Sequence, residues 1–175
     1  MKCHRIRIGP LIMAVLASAC GGGEGDGPKT FDDPAGYSLE VPGGWSLSDR
    51  TAGDGLIRAD ITGGDGMGIQ VRLLPLSPSG FDAAVSRLLR EYIRDMSGHW
   101  GGGMAETERT APDAGEKALT VRFRATRDDG SVWYLQESFV SAGDMLVVLQ
   151  GGCPWERRDR ARAAFDDMVD SISFP

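Results

Sequence analysis

The stretch Met145-Leu146-Val147-Val148-Leu149 is apolar at every position, and it constrains the fold more than any other part of the chain. A strand with one face in water alternates apolar and polar residues, so a run without alternation marks a central strand covered on both faces. Successive side chains on a strand point to opposite sides. Val147 and Val148 are therefore both expected in a core, with helical cover above and below the sheet. Two segments have the pattern to supply that cover. Phe81, Ala84, Val85, Leu88, Leu89, Tyr92, Ile93 and Met96 recur at three and four, which puts them on one helical stripe and leaves Asp82, Arg87, Arg90, Glu91 and Arg94 outside it. Ala161, Ala164, Phe165, Met168, Val169 and Ile172 form a second stripe. Its helix is expected to open at Pro154-Trp155-Glu156, because proline suits a first helical position and Glu156 and Asp159 suit the positive end of the dipole.

The strands between these segments follow from period-two alternation. Tyr37 to Val41 alternates, Pro42-Gly43-Gly44 turns the chain, and Trp45 and Leu47 return toward the core. Leu56 to Thr62 and Met67 to Leu73 form a hairpin across Gly63-Gly64-Asp65-Gly66. Read as a phosphate cradle, that glycine run fails, because it leads into a strand and no helix N-terminus faces an anion. Gly98 to Gly103 is expected as the loop that ends the first helix, and Met104 to Ala111 as a weak strand. Leu119, Val121, Phe123 and Ala125 then alternate with Thr120, Arg122, Arg124 and Thr126. Asp128-Asp129-Gly130-Ser131 closes a hairpin onto Val132 to Ser141; it lacks the spaced oxygens and later bidentate acid of a calcium loop. Strands joined by short turns exclude a parallel Rossmann arrangement, which needs a helix between most strands. The expected class is α+β, an antiparallel sheet with helices on both faces.

At the N-terminus, Lys2, His4, Arg5 and Arg7 precede an apolar run, Ile8 to Cys20, that is too short to span a bilayer. This is the pattern of a cleaved export signal. Leu16-Ala17-Ser18-Ala19-Cys20 resembles the lipobox of bacterial lipoproteins, with Ala17 where leucine is more usual; the resemblance implies that the Cys20 thiol is joined to a diacylglycerol. An ordinary secretory signal is the alternative. The chain then divides into a signal over 1–19, a glycine-rich tether over 20–30 carrying the lipidated Cys20, and one domain over 31–175. The net charge of −6 falls to −9 for the processed chain, because Lys2, Arg5 and Arg7 leave and no acid does. That balance disfavours nucleic acid and any purely electrostatic hold on anionic lipid, so attachment has to come from acyl chains on Cys20. The expected location is the cell envelope, on the outer or cytoplasmic membrane, facing away from the cytoplasm.

Candidate chemistry is sparse. Of three cysteines, Cys3 leaves with the signal and Cys20 takes the lipid, so Cys153 has no partner and no disulfide framework exists. A thiol at a helix start is acidified, but Cys153 follows the most apolar strand, and burial there predicts an inert residue. His99 is the one histidine beyond the signal. No local ligand set accompanies it for a metal, and no oriented base for a nucleophile. Trp45, His99 and Trp100 are the candidates for binding loops, with packing roles as the alternative. Arg157, Arg158, Arg160 and Arg162 form a basic cluster, read either as a docking patch or as a solvated face. No catalytic residues, metal or cofactor are expected, and the chain is not expected to be an enzyme.

The order of elements from Phe31 to Phe174 resembles the PsbP-like family. The parts that carry the likeness are Tyr37-Ser38-Leu39-Glu40-Val41-Pro42-Gly43-Gly44-Trp45 and the closing helix with Ser171-Ile172-Ser173-Phe174. The resemblance implies an α/β/α sandwich, and binding or assembly in preference to catalysis, with no catalytic residue carried over. The functional expectation is a lipid-anchored module that binds or scaffolds another envelope component. The alternatives are a small-ligand carrier and a thiol-based role for Cys153.

Overall fold

The computed structural model describes residues 27–52, 55–76, 79–97, 100–108 and 117–174. The chain opens with a small hairpin, β1 (Lys29–Asp33) and β2 (Tyr37–Val41). β1 was not expected as a strand, and it starts ahead of the domain boundary at 31. Its alternation is short, and only pairing with β2 turns Phe31 and Asp33 inward. Pro42 to Gly44 makes the expected turn, with the Trp45 amide donating to the Pro42 carbonyl at 3.1 Å.

β3 (Ser46–Asp49), β4 (Ile57–Thr62) and β5 (Gly68–Pro75) then run as an antiparallel meander. Asp65 and Gly66 supply the positive φ angles, 62° and 76°, of the β4–β5 turn. Helix α1 (Phe81–Ser97) follows, and the chain re-enters the sheet as β6 (Trp100–Glu108), β7 (Lys117–Arg127), β8 (Val132–Ala142) and β9 (Met145–Pro154). A 3-10 turn over Trp155–Arg157 leads into α2 (Arg158–Asp170).

The seven strands lie in the order β3-β4-β5-β9-β8-β7-β6, antiparallel throughout. The α1 crossover carries the chain to the far edge, and the next three strands fill inward until β9 closes against β5. That makes β9 central, as its unbroken apolar run predicts. Val147 is 0 % exposed and belongs to the core under α2 and the β1–β2 hairpin; Val148 is 1 % exposed and belongs to the core under α1.

Two boundaries differ from expectation. Gly98 to Gly103 was expected as a loop, yet β6 already begins at Trp100, and its backbone pairs with β7 from Trp100 opposite Arg127. β9 continues through Gly151-Gly152-Cys153 to Pro154, so Pro154 ends a strand and α2 starts four residues later than expected. The two glycines of this extension are a packing requirement. A Cβ on Gly151 would lie 2.8 Å from Ile69 Cγ1 and 2.8 Å from Phe165 Cε2, and one on Gly152 would lie 2.7 Å from Leu135 Cδ2. Both residues have strand partners on both sides, which outweighs their weak intrinsic preference for a strand.

Candidate functional site

Cys20 and His99 lie outside the described residues. Trp45 comes off the turn and goes inside: it is 7 % exposed, meets Phe165 edge-on at 6.2 Å between centroids, and its ring lies against Gly63. It is a core residue and presents no surface to a partner. Trp100 opens an edge strand.

Cys153 sits in β9 across from Tyr134, 0 % exposed, and the backbone amides beside it belong to the sheet ladder in place of a helix start. Burial first, and the charge of Glu156 second, push its thiol up to about 12. At neutral pH it is protonated and shielded. We expect a thiol reagent to label the folded domain at Cys153 at least ten times more slowly than the denatured chain; equal rates would show that the strand end opens.

The polar residues the sequence reading passed over are those of β7 and β8 on the α2 side. Thr120 and Arg122 alternate with the apolar set, and both are buried: Arg122 is 7 % exposed and Gln136 opposite it 2 %. Arg122 Nη2 donates to Asp166 Oδ1 of α2 at 2.7 Å, its Nε donates to Gln136 Oε1 at 3.2 Å, and Gln136 Nε2 donates to the same Asp166 oxygen at 3.0 Å. Tyr134 completes the set with its hydroxyl on Gln136 Oε1. The matching polar parity of Thr120/Arg122 with Gln136/Ser138 is the signal that could have found the network. Two adjacent strands cannot both turn that row to water once a helix lies on it.

Above this network the surface is basic and aromatic. Trp155, on the 3-10 turn, has the guanidinium groups of Arg124 of β7 and Arg158 over its ring, at 5.3 Å and 4.8 Å from the centroid. Arg157 and Arg160 reach only 3.8 Å from Asp65, and Arg162 3.6 Å from Asp166. Solvent-exposed pairs of that length are worth little, so the guanidinium groups of Arg157 and Arg160 remain available to an acidic surface. Trp and Arg are also the residues that concentrate binding energy at protein interfaces. Between α2 and the sheet, a crevice lined by Ile69, Gln136, Ser138, Leu149, Gly151, Phe165 and Val169 is too tight to admit a water molecule. Among the described residues there is no cluster of His, Cys, Asp and Glu able to hold a metal, and no helix long and apolar enough to cross a membrane.

No family model matches the chain, and no curated protein matches it. Solved structures do. The cyanobacterial PsbP protein CyanoP of Synechocystis sp. PCC 6803 is similar at TM-score 0.65 and 18 % identity, over 91 % of this chain and 99 % of that one. LpqN of Mycobacterium tuberculosis, described as involved in cell envelope biogenesis, is similar at TM-score 0.62 and 14 % identity, over 85 % of this chain and 90 % of that one. The chain thus has a PsbP-like fold, a mixed α+β sandwich with its helices on opposite faces of an antiparallel sheet.

Proposed function

We propose that this protein is a lipid-anchored, non-catalytic cell-envelope module that binds another envelope component. The observation that carries the reading is the sequence Leu16-Ala17-Ser18-Ala19-Cys20-Gly21 after a short charged and apolar segment, which resembles a lipoprotein signal. Support for the envelope comes from the likeness in fold to LpqN, whose described role is in envelope biogenesis. The proposed contact surface is the Trp155 corner with Arg124, Arg157, Arg158 and Arg160, and its chemistry suits an acidic protein surface. Such a partner would have to approach this corner selectively, since the rest of the domain is acidic and repels it.

Anchoring is tested by fractionation. Cys20→Ala should move the processed protein from the membrane to the soluble fraction, because the apolar run is too short to hold it and a single determinant is removed. Retention in the membrane after cleavage would defeat the lipoprotein reading. Binding is tested by crosslinking in the native cells: Trp155→Ala and Arg158→Glu should remove a discrete crosslinked species that the unaltered protein forms. If the same species persists in both variants, the contact lies elsewhere on the domain.

A further inference from the structure

On the α1 side of the sheet, one carboxyl is placed unlike any other described in the molecule. Glu137 stands in the middle of β8, 3 % exposed, with Val121 of β7 on one side and Gln150 of β9 on the other. Leu135 and Phe139 precede and follow it on the same face, within the apolar core that α1 covers. Its Oε2 has no hydrogen-bond partner among the described residues. Asp33, the other buried acid, differs in having both oxygens held by Arg58.

We infer that Glu137 is a proton-dependent seat for α1: the helix stays docked while this carboxyl is neutral and loosens from the sheet when it ionises. An isolated carboxylate in an apolar core costs far more than a neutral acid in the same place. The groups around Glu137 do not remove that cost. From α1, Tyr92 faces it, with its hydroxyl turned to Gln150, and from β5 the Arg72 guanidinium is the charge that acts on it. Of the other α1 charges whose side chains are described, Asp82, Arg87, Arg90 and Arg94 are exposed and Glu91 is half-buried. Asp60 of β4 is engaged with Arg50 at 2.8 Å and Gln70 at 3.0 Å. Burial accordingly dominates, Arg72 only partly offsets it, and the Glu137 carboxyl is pushed up to about 8.

When α1 lifts, water reaches Glu137 and its affinity for a proton returns to that of an ordinary carboxylic acid. Between the ordinary carboxyl range and about 8, the closed form holds a proton that the open form has lost. Opening is therefore favoured by rising pH, by up to about tenfold per unit, and levels off above that window. What opening exposes is the apolar floor of Leu119, Val121, Phe123 and Leu135. The core under α2 lies on the opposite face and is not linked to this proton.

Amide hydrogen exchange on the whole protein from pH 5.5 to 8.5 tests this, with rates divided by the intrinsic exchange rate at each pH. The opening constants at Val85, Leu88 and Leu89 of α1 should rise by roughly tenfold or more between pH 6 and 8, while those at Phe165 and Met168 of α2 stay flat. In Glu137→Gln, which keeps the shape of the neutral acid, the α1 values should also be flat. A flat profile in the unaltered protein overturns the inference, as does an equal rise in α2, which would mean that the whole domain is opening. So does a rise that persists in the glutamine variant. Should that variant fail to fold, the contrast between α1 and α2 in the unaltered protein still decides the matter.

Discussion

Replacing Asp33 by alanine is expected to destabilise the domain by about 3–5 kcal/mol, the cost of stranding one member of a buried ion pair. The Asp33 side chain is 0 % exposed and that of Arg58 14 %, and the two meet in a bidentate arrangement, Nε to Oδ2 at 2.7 Å and Nη2 to Oδ1 at 3.0 Å. Asp33 Oδ1 also accepts the Ala35 amide at 2.8 Å, so the same carboxylate shapes the β1–β2 turn and ties that hairpin to β4. The Tyr37 hydroxyl is buried beside the pair. With alanine at 33, the guanidinium, the Ala35 amide and the phenol are all left facing the gap.

The same substitution should change the acid limb of the stability curve. Burial by itself raises the Asp33 carboxyl, but the hydrogen bonds from Arg58 and Ala35 and the Arg58 charge outweigh it, and the group lies below the usual carboxylate range. A depressed folded value means that its stabilisation is complete above the unfolded carboxyl's range and is lost as pH falls through the folded value. Chemical denaturation at pH 7 and at steps down to pH 2 should therefore show the gap between the native protein and Asp33→Ala closing toward the acid end. A gap that stays constant would mean that the loss at position 33 is one of packing, not of charge. Glu137 has the opposite sign, since its raised value favours the folded state at low pH and disfavours it as pH climbs toward 8.

Phe165→Ala should cost about 3–5 kcal/mol, at the upper end for an aromatic truncated in a core. Phe165 is 2 % exposed and is the point where α2 meets the sheet. Trp45 meets it edge-on at 6.2 Å and Tyr134 is stacked at 6.3 Å with 27° between planes. Its ring fills the space left by the missing side chain of Gly151. The walls of the resulting cavity are strand backbone and two aromatic rings fixed by other contacts, so collapse cannot recover much of the lost packing. The converse change, Gly151→Ala, forces a methyl to 2.8 Å from Ile69 and Phe165 and should cost about 1–3 kcal/mol by overpacking. Combining Gly151→Ala with Phe165→Leu should cost less than the sum of the two single changes. Strict additivity in thermal or denaturant unfolding would show that the two residues do not share that space.

The central strand, both helices and the two long hairpins were legible because each rests on a local rule. An unbroken apolar run has to be covered on both faces, a three-and-four spacing makes one helical stripe, and a glycine-rich turn joins two alternating runs. Val147 and Val148, neighbours in sequence and members of different cores, show how far that reasoning reaches. It failed at glycines. Gly98 to Gly103 was expected as a loop, and the central strand was drawn only to Leu149, because glycine alone has little preference for a strand; partner strands overrode that preference.

Which polar residues are buried was not legible, for the same kind of reason. Arg122, Gln136 and Glu137 are consistent with a solvated face when one strand is read alone, and which of them is buried depends on what lies above. The α2 stripe was visible, but that Asp166 beside it would receive Arg122 across 44 positions of sequence was not. Trp45 was legible as a return to the core, and its packing against Phe165 settles it there. The sequence by itself determined the class of fold and the two-faced central strand, since these follow from composition and periodicity over a few residues. Only the tertiary structure decided the β1–β2 hairpin, the run of β9 through Cys153, the Trp155 corner and the sealed Glu137, because each depends on a desolvation or a close approach created by elements distant in the chain.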